Sequence, residues 1–147
     1  MEGKLETYRR VDTLGKSQLD LILQVYDGAI KSLRTARQCF EKQDHQAGYE
    51  EMERAKRFVT HLYATLDMEK GGEVAANLSR LYVFVISQSY VIQATKDTAQ
   101  LDAITNVMVN LREGWRGLKA TDANPNSARA TEPEDALVES GHFVTTA

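Results

Sequence analysis

The chain of 147 residues has the length of one domain and can bury a core without disulfides or metals to hold it together. Apolar residues make up 42% and charged residues 27%, as in soluble globular proteins, and the net charge of −3 argues against a broad basic surface for nucleic acid. The single cysteine, Cys39, excludes an internal disulfide and favours a reducing compartment.

The N-terminal residues are expected to form a short arm, not a signal peptide. Residues 1–10 carry charges of both signs and lack the apolar stretch of a signal peptide. The longest apolar run of the chain, Leu81–Ile86, is far shorter than the ~20 residues that a membrane span needs. We therefore expect a cytoplasmic protein without a membrane span. In the arm, residues 1–16, apolar residues recur at every third position: Leu5, Tyr8, Val11 and Leu14.

Four segments with apolar residues spaced at three and four follow the arm, and this spacing predicts four α-helices. Ser17, Asp44 and Asp97 are suited to cap the first, second and fourth helices, because short polar side chains accept hydrogen bonds from the first backbone N–H groups. Gly71-Gly72 precedes the third helix. The short connections are expected at residues 42–44, 68–72 and 96–98.

Short connections force successive helices to lie antiparallel. The expected fold class is therefore all-α, an antiparallel up-down four-helix bundle over residues 17–120. Residues 121–147 contain both prolines of the chain, Pro125 and Pro133, and five acids against one base. This composition predicts a disordered acidic tail.

Two of the four predicted helices carry more apolar surface than a bundle can hide. A bundle helix needs one apolar stripe a little over 100° wide, and the second and fourth helices conform to this. The first helix has a second line beside its core stripe: Leu21, Val25, Ala29, Ser32, Ala36 and Cys39. The third helix is wider still, with two groups that point to different sides: Val83, Ile86 and Tyr90, and Phe84 and Val91.

Apolar surface in excess of the core usually marks a partner site, and a partner helix lying in an apolar groove is the natural mode of binding. Homodimerisation and coverage by the N-terminal arm are alternatives that the residues leave open. The residues that we expect to form the contact face are Leu21, Val25, Val83, Ile86 and Tyr90.

No group of residues in the sequence predicts an active site. The Glu-x-x-His pairs of di-iron bundles are absent, and one cysteine is too few for a typical zinc site. Gly71-Gly72 lacks the lysine and the further glycines of a phosphate-binding loop. We therefore expect no enzyme and no metal or cofactor; a metal–carboxylate bundle is the enzymatic alternative.

Several short motifs, in order and at matching spacing, resemble the flagellar secretion chaperone family FliS over about residues 8–119. Val25–Ala29 is similar to the Leu-Tyr-Asn/Asp-Gly-Ala signature of the family, and Arg112–Trp115 to its arginine–tryptophan ending. The tail beyond Ala120 departs from the family, because it is longer and more acidic. The central motifs are Leu66-Asp67, Gly72-Glu73, Asn77-Leu78 and Leu81-Tyr82.

The resemblance implies a bundle that binds the disordered C-terminal segment of flagellin, prevents its premature polymerisation and supports flagellar type III secretion. It also implies that the arm, through Tyr8 and Leu14, is a lid near the client surface. Export machinery and regulatory proteins are further candidate partners. The alternative function is a regulatory adaptor for an anti-sigma factor or another flagellar assembly protein. Core positions are expected for Tyr26, Leu66, Leu78, Tyr82 and Trp115.

Overall fold

The computed structural model describes residues 17–121, which fold into four α-helices joined by short connections. The helices are α1 (Gln18–Glu41), α2 (His45–Ala64), α3 (Met68–Thr95) and α4 (Thr98–Thr121). The predicted all-α fold is confirmed. The predicted arm, with Tyr8 and Leu14, and the predicted tail lie outside the described residues, apart from Thr121.

Each helix begins where a short polar side chain accepts from free backbone N–H groups. Ser17 Oγ accepts from Asp20 N at 3.1 Å, and the Asp20 carboxylate accepts from Ser17 N at 3.3 Å, which completes a capping box. Asp44 Oδ1 accepts from Ala47 N at 3.3 Å. Asp97 Oδ1 accepts from Gln100 N at 3.1 Å. The three predicted caps are confirmed.

The predicted start of the third helix is wrong by about one turn. Residues 68–72 were expected to form a connection, but α3 already begins at Met68, because Asp67 Oδ1 caps it by accepting from Lys70 N at 2.9 Å. The glycine break that the sequence shows is still present. Gly72 has φ 57° and ψ −135°, a conformation that only glycine adopts readily, and it kinks α3 after its first turn.

Side-chain contacts between α1 and α4 run in opposite order along the two helices. Between α1 and α4, Arg37 Nε lies 2.6 Å from Asp102 Oδ1, and Arg112 pairs with Asp27. Each helix contacts the one before and after it, and α1 also contacts α4. The α1–α2 contact is the most extensive and the α3–α4 contact the least extensive. α1 and α3 therefore lie diagonally opposite each other.

The expected apolar surplus on α1 is wrong in the middle of the helix. Ala29 and Ala36 are fully buried, and Ser32 is 3% exposed. Small side chains let α1 approach α2 closely. At Gly28, next to this line, an added Cβ would stand 2.6 Å from the Phe58 ring of α2. The middle of the second apolar line of α1 is thus buried inside the bundle, whereas Leu21 near its beginning stays 37% exposed.

Candidate partner-binding surface

The outward side of α3 carries the largest group of exposed apolar side chains among the residues that the structure describes. Four bulky side chains there are between 44% and 62% exposed. They form two lines along the helix, Val83 with Tyr90 and Phe84 with Val91, because residues seven apart lie above one another; the two lines are about 100° apart and together border the outward side of α3. We call this surface the α3 outer face: Val83, Phe84, Tyr90 and Val91.

The α3 outer face has one cation at its beginning. Arg80 is the single charged residue in the sequence from Val74 to Thr95, and it lies one turn before Val83 and Phe84. The Arg80 guanidinium donates a hydrogen bond to the side-chain oxygen of Asn77. Within the described residues it forms no ion pair with a carboxylate.

An apolar surface almost free of charge is suited to bind another apolar surface. A partner helix that covered it would displace water from valine and aromatic side chains, and only Arg80 would have to be matched or desolvated. Contiguous exposed apolar patches on folded proteins usually mark interaction sites. The geometry of α3 therefore favours binding of a partner and shows no arrangement for catalysis among the described residues.

Polar contacts fix the α2 side of this surface. Lys56 Nζ of α2 lies 3.5 Å from the centre of the Tyr90 ring and 2.7 Å from Glu53 Oε2. Gln93 Nε2 of α3 donates to Glu53 Oε2 at 2.9 Å and to the Tyr49 carbonyl oxygen at 3.2 Å. Lys56 is 7% exposed, so Tyr90 covers a buried ammonium with one face of its ring and leaves the rest in solvent.

The same contacts lower the pKa of the Glu53 carboxyl. Hydrogen bonds from Lys56 and then Gln93 stabilise the carboxylate and outweigh the opposing effect of partial burial. Glu53 is therefore ionised under ordinary conditions and holds the Lys56 ammonium in place. This cluster joins the α2 side of the α3 outer face to α2 by polar contacts.

The α4 side is held less firmly. Gln100 Nε2 of α4 donates to Gln88 Oε1 of α3 at 2.8 Å, close to the short connection between the two helices. Phe84 and Val91 flank Gln88 and are 44% and 48% exposed. The least extensive helix contact of the bundle thus lies beside the exposed aromatic ring of Phe84.

Comparison with known proteins places this bundle in a family. The family described as "Flagellar protein FliS" matches residues 1–122. This chain belongs to the FliS family. It is 33% identical over 104 residues to the flagellar secretion chaperone FliS of Salmonella typhimurium, and this match covers 70% of this chain and 77% of that protein. It is 30% identical over 98 residues to the flagellar secretion chaperone FliSB of Pseudomonas aeruginosa, with 67% and 78% covered.

The match to the FliS protein of Vibrio cholerae is longer and less similar, with 26% identity over 121 residues, 78% of this chain and 88% of that one. The family resemblance seen in the sequence is therefore confirmed. Membership in the FliS family assigns the chain to flagellar biogenesis and supports an export-chaperone role.

The three aromatic side chains of the FliS motifs, Tyr26, Tyr82 and Trp115, meet in the core and not on the α3 outer face. The hydroxyl groups of Tyr26 and Tyr82 are hydrogen-bonded, and Trp115 Nε1 donates to Tyr26 OH at 2.9 Å. Burial raises the pKa of both tyrosines, so both stay neutral. Asp27, next to Tyr26, pairs with Arg112 of α4. The motif side chains thus join α1, α3 and α4 to one another.

The expected core positions agree with the structure, with one partial exception. Tyr26, Leu78, Tyr82 and Trp115 are buried, whereas Leu66, in the middle of the α2–α3 connection, is half-buried against the core. Hydrogen bonding explains how two phenols and an indole can be placed in an apolar interior without cost from unpaired polar groups.

The structure brings together only part of the predicted contact face. Val83 and Tyr90 lie exposed on the α3 outer face, and Ile86, between them, is half-buried against the core. Leu21 is 37% exposed and Val25 is half-buried, but both lie on α1, diagonally across the bundle. One continuous surface therefore does not contain all five residues.

Two further exposed aromatic side chains were missed by the sequence analysis. Tyr49 and Tyr63 of α2 are 48% and 44% exposed. They lie seven residues before and after Lys56, which contacts Tyr90, so all three occupy one side of α2 next to α3. The seven-residue spacing was readable, but the charged residues around it favoured a purely solvated face.

Two further features are absent from the described residues. They contain no group of three or more histidine, cysteine or acidic side chains that could hold a metal ion. None of their helices is long and apolar enough to cross a membrane.

Proposed function

We propose that this FliS-family protein is a cytoplasmic export chaperone that binds the C-terminal segment of flagellin on the α3 outer face. One observation carries the proposal: α3 keeps four bulky apolar side chains exposed after the bundle has formed its own core. Family membership supplies the flagellar context. Bound flagellin would be kept from polymerising before its export.

The proposed mode is a client helix lying along α3. A helix with apolar residues at spacings of three and four would place them against Val83, Phe84, Tyr90 and Val91. Burial of apolar surface contributes about 25 cal/mol per Å² before costs. Ordering of an unfolded client opposes this by roughly 2–5 kcal/mol, so affinity is moderate for the buried area.

The proposed role requires no reaction. Binding and release depend on the difference in free energy between burying the apolar stripe of the client against α3 and burying it against another surface. We therefore propose a binding protein and not an enzyme. A client that is folded only while bound is also held in a form that can be released as an extended chain for export.

The decisive experiment is titration calorimetry of a peptide from the flagellin C-terminus into the full chain and two variants. Val83→Asp places a charge in the α3 outer face, and we expect at least a tenfold loss of affinity. Met68→Asp is the matched control, because Met68 is 52% exposed and apolar but lies at the start of α3. It should bind like the unaltered protein.

Circular dichroism of both variants must show unchanged helicity and thermal unfolding for the comparison to count. Equal affinity of Val83→Asp and the unaltered protein would contradict binding at this face. If flagellin lacking its C-terminal segment bound as tightly as full-length flagellin, the regulatory-adaptor alternative would be favoured instead.

A further inference from the structure

The C-terminal residues of this chain are not accounted for by its family. The match to the FliS family ends at residue 122 and leaves residues 123–147 outside it. This stretch holds four acids and one base in the sequence, the acids being Glu132, Glu134, Asp135 and Glu139. The segment is thus an acidic addition to the bundle.

The acidic addition also contains apolar residues. Leu137-Val138 stands between Asp135 and Glu139, and a second apolar pair follows at residues 143–144. An apolar pair enclosed by carboxylates is unsuited to the neutral core of a bundle. It is suited to an apolar surface that carries cations and no acid.

The α3 outer face has this complementary character. Its exposed side chains are apolar, and the sequence from Val74 to Lys96 contains no acidic residue. Arg80 lies at one end of the face with an amide as its hydrogen-bond partner, and Lys96 follows the other end of α3. A carboxylate near Arg80 would form an ion pair that the described residues do not provide.

The chain is long enough for the two surfaces to meet. α4 returns alongside α3 after the short connection at Lys96–Asp97, so Thr121 lies at the end of the bundle where α3 begins. Arg80 is twelve residues into α3, about 18 Å along the helix axis. The fourteen residues from Thr121 to Asp135 can span up to about 46 Å.

We propose that residues 134–144 of this chain bind its own α3 outer face. Leu137 and Val138 cover exposed apolar side chains of α3, and a neighbouring carboxylate pairs with Arg80. The segment thereby occupies the surface until a client displaces it. This regulatory consequence rests on the proposed function, whereas the docking itself does not.

Tethering makes a weak contact sufficient. A segment joined by a short chain experiences an effective concentration of its site in the millimolar range. A free segment with a dissociation constant of about 0.1 mM would therefore compete with a client and weaken client binding roughly tenfold. A client with a longer apolar stripe would still displace it.

The docking is tested by paramagnetic relaxation in the full chain. A nitroxide is attached at Thr146→Cys in a Cys39→Ser background, and amide signals are recorded by NMR. We expect loss of intensity for residues 80–91 and not for the exposed α1 residues 31, 34 and 38. Equal intensity losses on α1 and α3, or none on α3, would overturn the proposal.

Two variants examine the contacts separately. The double change Leu137→Ser with Val138→Ser should restore the α3 signals, and Arg80→Glu should restore them in part. Arg54→Glu is the matched control, because Arg54 is an exposed cation on α2 whose nearest carboxylate, that of Glu51, is 4.0 Å away. Signal losses that persist in both tail and Arg80 variants would contradict the proposal, as would losses that grow with protein concentration, because these indicate a second copy.

Client competition is measured with the flagellin C-terminal peptide. The Leu137→Ser, Val138→Ser protein should bind it about five- to tenfold more tightly than the unaltered chain. Unchanged affinity would overturn competition even if the spin label reports docking. A peptide that fails to bind either protein would contradict the proposed function and leave the docking result standing.

Discussion

α1 and α3 both have apolar residues around much of their circumference, but the two helices differ in how much of this apolar surface is buried in the bundle. The extra line of α1 has small side chains in its middle, and Ala29, Ser32 and Ala36 are buried inside the bundle. The extra residues of α3 are bulky, and Val83 and Phe84 remain nearly half exposed. The size of the side chains, more than their polarity, separates the two cases.

Small residues permit close approach of two helices, so apolar surface beside a core stripe can be buried against the neighbouring helix. Bulky residues hold a neighbour at a distance and need a groove of their own. A wide apolar arc therefore predicts a partner surface only where its members are too large for the bundle to absorb. This distinction is the reason for proposing the partner surface on α3 and not on α1.

The largest test of this contrast compares two tyrosines on α3. Tyr82 is fully buried and hydrogen-bonded to Tyr26, whereas Tyr90 is 62% exposed. Tyr82→Ala should lower the free energy of unfolding by about 3–5 kcal/mol, because it leaves a cavity and removes one of the two hydrogen bonds of the buried Tyr26 hydroxyl. Tyr90→Ala should cost less than about 1 kcal/mol, mainly through the lost contact with Lys56.

Urea unfolding followed by circular dichroism measures both values. Tyr82→Phe serves as a control, since it keeps the ring and removes only the hydroxyl group. Similar losses for Tyr82→Ala and Tyr90→Ala would show that Tyr90 belongs to the core, and that the α3 outer face is smaller than the exposures indicate.

An intermediate effect is expected where a small residue of α1 is enlarged. Ala36 is fully buried on the small-residue line, and Ala36→Leu should reduce the free energy of unfolding by about 1–3 kcal/mol through overpacking. Ala94→Leu is the matched change on the exposed side of α3 and should stay within about 0.5 kcal/mol of the unaltered protein.

Thermal unfolding of the two leucine variants gives the comparison directly. A loss at Ala94 as large as that at Ala36 would mean that the exposed side of α3 is covered by this chain itself. Such a result would agree with docking of the C-terminal segment and would be reversed by the Leu137→Ser, Val138→Ser change.

Much of the fold could be predicted because local signals agreed with one another. Apolar spacing gave the four helices, and Ser17, Asp44 and Asp97 marked their beginnings as the structure confirms. The start of α3 was misjudged because Gly71-Gly72 was taken as a turn, although Asp67 caps a helical turn before Gly72 breaks it. Asp67 starts the helix and Gly72 interrupts it, so both local signals are present at different residues.

The candidate site was harder to predict than the fold. Helical periodicity predicted that Val83 and Tyr90 lie away from the core stripe. It could not show that Ala29 and Ala36 would be buried inside the bundle, since that depends on the distance between two helices. Nor could it show that Lys56, in a charged stretch of α2, would be buried beneath Tyr90. Both facts arise from tertiary contacts that have no counterpart in local spacing.

The smallest expected effect concerns how firmly α2 holds the α3 outer face at acid pH. Glu53 has a lowered pKa because of its hydrogen bonds from Lys56 and Gln93. Above the ordinary glutamate pKa of about 4.3, the hydrogen bonds to the Glu53 carboxylate stabilise the folded protein. As pH falls below this value, Glu53 becomes protonated in the unfolded chain first, and the stabilisation disappears once the pH has fallen past the lower pKa of folded Glu53. It should not exceed about 1 kcal/mol, because the Glu53 side chain is 38% exposed and screened by solvent.

Unfolding by urea at a series of pH values would measure this loss as a difference between the unaltered protein and Glu53→Gln. Lys56→Met should remove the same pH dependence, because the ammonium is the main cause of the lowered pKa. If Lys56→Met kept the full dependence, the contact of Lys56 with Glu53 would not be what anchors this side. The α2 side of the α3 outer face would then be as loosely held as its α4 side, and a client helix could enter from either one.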